Sequence, residues 1–127
     1  MNIQLMLAVA LGGAIGAVSR LSVTQLLAIW LGKDFPWGTL MVNLLGCLII
    51  GYLVGLWSQI GQAPSINIRA GVIVGFLGAF TTMSTFSLDS LDFIQRGEWI
   101  KASSYIGITF IGSLMAVGIG VYLASKS

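Results

Sequence analysis

The sequence predicts an all-α membrane protein with four transmembrane helices, the third of them broken, and three observations carry that reading. Of the 127 residues, 57% are apolar and only 8% are charged, where a soluble domain carries roughly a quarter charged. That composition excludes an ordinary water-soluble globule. The apolar residues fall into four runs, each near the roughly 20 residues a membrane helix needs. The third run alone is interrupted by a cluster of hydroxyl side chains. The whole chain, 1–127, reads as one channel-sized membrane domain with no room for a second.

The first run, 3–31, has Arg20 as its only charge. It is too long, and its start too free of positive charge, for a secretory signal peptide, so it reads as a membrane span. Lys33, Asp34 and Pro36 make a short polar turn. The second span, 37–57, is uncharged and carries Trp37 and Trp57 at its ends, where aromatic rings anchor at the membrane interfaces. Gly61, Pro64 and their polar neighbours form a loop. The third span, 69–95, is interrupted at Thr81-Thr82-Met83-Ser84-Thr85. A last loop leads into the fourth span, 102–124.

Seventeen glycines would weaken soluble helices, but small residues let membrane helices approach closely. Ala8, Gly12 and Gly16 lie four apart in the first span, and the pairs Gly51/Gly55 and Gly71/Gly75 repeat that spacing. Tight association within a subunit and between subunits is expected from them. With four spans, one side of the membrane carries Arg69 and Lys126 and the other Lys33, Arg96 and Lys101. That is a weak orientation signal. A chain that inserts both ways can pair with itself as an antiparallel, dual-topology homodimer, giving the inverted-repeat arrangement that larger transporters build into one chain. The expected partners are therefore a second copy and the lipid bilayer.

Several functions are excluded before any motif is considered. The chain has no His, one Cys and four acidic residues, so most catalytic and metal-binding vocabulary is missing and no enzyme is expected. Scattered basic residues offer no stripe for nucleic acid. No Gly-rich Lys-Ser/Thr loop is present for a nucleotide, and no carboxylate lies at the centre of a span for proton coupling. Passive conduction is favoured over pumping. A small multidrug-resistance-type exporter would need an acid in the first span, which holds Arg20 instead. A non-conducting membrane scaffold would leave the polar residues without a purpose.

Those polar residues are the candidate site. Arg20 continues the Ala8, Gly12, Gly16 stripe, and a charge at that depth needs a polar interior; it reads as an interior structural anchor, an anion contact or a snorkelling side chain. Thr39 and Asn43 lie one turn apart in the second span, and both should face protein or a water-filled path. The Asn43 carboxamide offers N–H donors without fixed charge, which suits weak, releasable contact with a small anion; a helix-to-helix hydrogen bond is the other reading. In Gly75 to Ser87, two glycines and then hydroxyl residues, Ser84 among them, interrupt an apolar span. A broken helix there exposes carbonyls at the end of its first half, which suit cations, and N–H groups at the start of its second, which suit anions. Tyr105, Thr109 and Ser113 share one helical face as a row of hydroxyls.

Three of these segments resemble the motifs of the Fluc (CrcB) fluoride channels of microorganisms: Gly12 to Arg20, Gly38 to Gly46, and Gly75 to Ser87. With four spans in matching order, the resemblance covers nearly the whole chain. It implies an inverted homodimer with two fluoride pores, a structural sodium ion between subunits, and passive exit of fluoride across the bacterial inner membrane. On matching positions it implies sodium-binding carbonyls at Gly75 and Gly78. Fluoride would pass Thr39, Asn43, the ring edge of Phe80, Met83, Ser84, Tyr105, Thr109 and Ser113. The family motif reads Thr-Thr-Phe-Ser-Thr-Phe, and this chain carries Met83 in place of its first phenylalanine. A thioether lacks the positive ring edge that can face an anion. Asp89 stands where the family usually carries Glu.

Overall fold

The first helix starts where the Asn2 side chain accepts the backbone N–H groups of Gln4 at 2.9 Å and Leu5 at 3.4 Å. This cap satisfies donors that have no partner inside the helix. In the computed structural model, which describes residues 2–127, the chain is helical almost throughout, with no strand among the described residues. Helix α1, Ile3–Leu31, ends at Gly32, whose φ of 86° needs glycine. Helix α2, Trp37–Ile60, runs three residues past Trp57 and stops at Gly61, again in the left-handed region.

The third span starts at Ile66, earlier than its charge pattern suggests, because the Ser65 hydroxyl caps Ile68 N–H. It comprises α3, Ile66–Arg69, a π-helical segment Ala70–Leu77, α4, Gly78–Phe80, and, after Thr81 and Thr82, α5, Met83–Gln95. Helix α6, Trp99–Ser125, follows a turn at Gly97, φ 73°. Trp99 rather than Ala102 opens it because the carbonyl of Glu98 already accepts the Ala102 N–H. Among the described residues four helical stretches, Ile3–Leu31, Trp37–Ile60, Ile66–Gln95 and Trp99–Ser125, are long and apolar enough to cross a membrane. This is a multi-pass membrane protein.

Two kinds of seam hold the spans together. Along the first, α1 lies against the π-helical segment with backbone on backbone. A Cβ added at Gly75 would stand 2.6 Å from the Val9 carbonyl oxygen and 3.1 Å from Gly12 Cα, and one at Gly12 would overlap the Gly71 carbonyl. A wider π turn is rare and often marks a functional segment; here it places both glycines against α1. The α2 and α6 pair is built the same way: Gly51 faces the backbone of Val117, and Gly120 that of Leu48 and Tyr52.

The second seam is made of rings. Leu40, Phe86, Phe93, Ala102 and Tyr105 form the buried core, with Phe35 packed against it. Tyr105 meets Phe35 edge-on at 5.4 Å and Phe93 at 6.0 Å between ring centroids. Each such pair contributes about 0.5–1.5 kcal/mol beyond area burial. Lipid supplies no hydrophobic drive between helices, so contact quality decides. Outside both seams, large side chains such as Ile15, Trp30, Ile100 and Leu114 are exposed, as expected of surfaces that face lipid or another subunit.

Candidate functional site

The helix ends after Phe80 because Thr81 and Thr82 are extended, with φ/ψ of −86°/156° and −150°/118°. Such a gap at membrane depth leaves backbone groups that need partners. Asn43 supplies them. Its Oδ1 accepts the Thr82 N–H at 2.8 Å and its Nδ2 donates to the Thr82 carbonyl at 3.1 Å. Asn43 is 8% exposed, so the pair closes a buried helix-to-helix clamp. The helix-to-helix reading of Asn43 therefore holds, and the carboxamide still has a second N–H to offer.

On the far side of the gap, the Thr82 hydroxyl caps α5 by accepting the Thr85 N–H at 3.2 Å, and it also meets Ser84 Oγ at 3.2 Å. Only one of the free N–H groups at the start of α5 is thereby satisfied, and the helix dipole puts partial positive charge there. On the near side, Thr81 N–H and hydroxyl both donate to the Leu77 carbonyl at 3.0 Å. Thr82 N–H is committed to Asn43, so the Gly78 carbonyl loses its usual helical donor. The Gly75 carbonyl accepts the Gly78 N–H.

Asn43, Cys47, Thr81, Met83, Phe86, Thr109, Phe110 and Ser113 line an inner cavity of about 230 Å³. Its walls are mostly apolar, and its polar groups are donors without charge. Thr109 is 7% exposed, and its Oγ1 is buried with no hydrogen-bond partner. Such an orphan usually costs about 1–3 kcal/mol. Phe86 and Phe110 meet edge to face at 5.6 Å. Nearby, Thr24, Lys33, Phe35, Thr39 and Asp89 line an outer cavity of about 180 Å³. Tyr105, fully buried, donates its hydroxyl to Asp89 Oδ2 at 3.1 Å. It thus ties the wall of the outer cavity to the helix whose next turns, Thr109 and Ser113, wall the inner one.

Not every expected residue gathers here. Phe80 is buried, stacks on Phe76 at 5.6 Å and does not line the inner cavity. Ser84 is exposed and bonded to Thr82. Arg20 is half-buried and forms no ion pair among the described residues, and its buried Nε has no partner. Phe86, Phe110 and Cys47 line the cavity without a sequence signal for it, because nothing in an apolar pattern says which side chain faces a void. Their spacing was available all the same: Phe86 is one turn after Met83, Phe110 adjoins Thr109, and Cys47 is one turn after Asn43.

Among the described residues no three His, Cys, Asp or Glu side chains gather as a metal centre, so a hard monovalent cation would have to draw on backbone oxygens. Gly78 fits that use. Its carbonyl lacks a helical donor, and it lines a third cavity of about 160 Å³ with Gly46, Cys47 and Thr81. Gly75 does not line that cavity, but its carbonyl keeps a second lone pair.

The family model for CrcB-like protein, Camphor Resistance (CrcB), matches residues 7–121. The chain belongs to this family. It is 45% identical to a protein of Hydrogenovibrio crunogenus named fluoride-specific ion channel FluC, over 95% of this chain and 91% of that one. A Magnetococcus marinus protein of the same name is 46% identical over 91% and 89% of the two chains. A Methylococcus capsulatus protein, also of that name, is 44% identical over 99% of this chain; the match spans only 54% of that longer relative. All three are named as ion channels rather than enzymes, and the matched CrcB region holds Asn43, the Thr81-Thr82 gap and Thr109.

Proposed function

We propose that this protein is a fluoride-selective channel that lets fluoride leave the cytoplasm passively across the bacterial inner membrane. The observation that carries the reading is the inner cavity beside the Thr81-Thr82 gap. It is lined by Thr109, whose buried hydroxyl has no partner, by Asn43 with an N–H to spare, by Met83 at the positive end of α5, and by no charged side chain. Uncharged donors replace hydration water while binding stays weak enough for release. The edges of Phe86 and Phe110 carry partial positive charge and add a poorly polarisable wall. The names of the relatives support fluoride as the ion.

In this reading fluoride enters by the outer cavity past Thr39 and Tyr105, then moves along Asn43, Met83, Thr109 and Ser113. Phe80 and Ser84 lie outside the inner cavity of one chain, so their part in the path requires a second subunit. That subunit is an inverted copy, giving two pores per homodimer. A sodium ion between the subunits would be held by the Gly78 and Gly75 carbonyls and would supply a fixed positive charge there. Arg20 would anchor helix ends through partners beyond the single chain, since its buried Nε has none within it.

The test is efflux from liposomes holding the purified protein, read with a fluoride electrode and repeated with chloride, with and without sodium. Fast electrogenic loss of fluoride with chloride retained is the expected result, and Met83→Phe should conduct faster than the parent. Loss of both ions alike, or of neither from either protein, would overturn the reading.

A further inference from the structure

Two sulfur-bearing side chains line the inner cavity, which opens to the chain's surface at Met83, 62% exposed, and fluoride conduction uses neither as a charge or a donor. Cys47 is a free, half-buried thiol, and Met83 is a thioether at the first position of α5. They come from different spans, and the clamp brings those spans side by side: Cys47 is one turn after Asn43 on the same face of α2, and Asn43 binds Thr82, the residue before Met83. The flexible methionine side chain can adapt to a ligand in that space. Thr109, whose buried hydroxyl has no partner, lines the same cavity.

We propose that the inner cavity is a binding site for a monovalent soft cation with a filled d shell, silver(I) or copper(I), held between the Cys47 thiolate and the Met83 thioether. Soft thiolate and thioether ligands select such ions. Two sulfurs satisfy an ion content with two ligands, and among the described residues no three His, Cys, Asp or Glu side chains gather to hold a harder divalent one. Charge favours the same class of ion. When the Cys47 S–H proton passes to water and the sulfur binds the cation, the thiolate and metal cancel, so a neutral unit enters a site where a net charge is costly. No electrons are transferred; the Met83 sulfur adds a lone pair. The bound ion stands in the path between Asn43 and Thr109. The site itself rests on cavity geometry alone, and only its blocking effect rests on the fluoride reading.

Silver nitrate in chloride-free buffer is the probe. Isothermal titration of the full-length protein in detergent should give one silver ion per chain. Cys47→Ser, or prior alkylation of Cys47 in the parent, should abolish tight binding, and Met83→Leu should weaken it at least tenfold. Circular dichroism confirms that each variant is folded. If Met83→Leu binds silver as tightly as the parent, the thiol acts alone and the proposal is overturned; it is overturned too if Cys47→Ser retains the site. In liposomes, silver should stop fluoride efflux from the parent and added dithiothreitol should restore it. Full binding without any block would contradict placement of the ion in the path, while a parent that never conducts would count against the fluoride reading and leave the titration to decide the site.

Discussion

The two halves of the third span are adjacent in sequence and differ in how they are held. From Ala70 to Leu77 the chain has no polar side chain and packs by glycine, with backbone against the backbone of α1. From Met83 to Gln95 it packs by rings, with Phe86 and Phe93 against Tyr105. The first mode tolerates no added atom, and the second tolerates no removed one. Between them the extended pair Thr81 and Thr82 is held by one carboxamide from α2. A helix can be interrupted inside a membrane when both flanks are fixed independently and the freed backbone groups find a partner.

Removing a ring from the second half should have the largest effect. Phe93 is 2% exposed among Phe35 and Tyr105. Phe93→Ala should destabilise the protein by about 3–5 kcal/mol, read as a lower midpoint of chemical unfolding in mild detergent. An unchanged midpoint would mean that the rings are not the fastening of α5.

Next comes the clamp. Asn43→Leu leaves the Thr82 N–H and carbonyl buried without partners, at about 1–3 kcal/mol for each. Amide hydrogen exchange should then speed up at Thr82 and the start of α5 while the α1 seam stays protected. Exchange that rises equally in both halves would show the two flanks to be one unit.

In the first half, Gly75→Ala presses a methyl group onto the Val9 carbonyl and Gly12, and overpacking of this kind costs about 1–3 kcal/mol. It should lower the unfolding midpoint, whereas the same change at Gly118, where an added Cβ meets nothing within 4 Å, should leave it in place. The smallest effect is that of Tyr105→Phe. It removes one hydrogen bond to Asp89 and keeps the ring, for about 1 kcal/mol.

Much of this was legible in the sequence, because the bilayer imposes length and polarity rules that apolar runs obey directly. The four spans, the Gly12/Gly16 and Gly71/Gly75 stripes, and the interruption at Thr81-Thr82 all follow from composition along the chain. The ends of the spans were less legible. Ser65 and Gly61 act through local capping that hydropathy does not register. The site was legible as a set of polar residues but not as a geometry: Asn43 spends one donor and its acceptor on Thr82, a partner 39 positions away. Phe80 and Phe86 look alike in the motif, yet one stacks on Phe76 and the other walls the cavity. Which ring faces a void is set by helix rotation, and the π turn before Phe80 changes that rotation.

The central claim is that uncharged donors in the inner cavity conduct fluoride, and Thr109 offers the most direct test. Thr109→Val keeps the side-chain shape and removes the one buried hydroxyl of this cavity that has no partner. The account predicts that the variant unfolds at the same midpoint as the parent, or slightly above it, and that its fluoride efflux from liposomes falls at least tenfold. Efflux equal to that of the parent from an equally folded variant would contradict it.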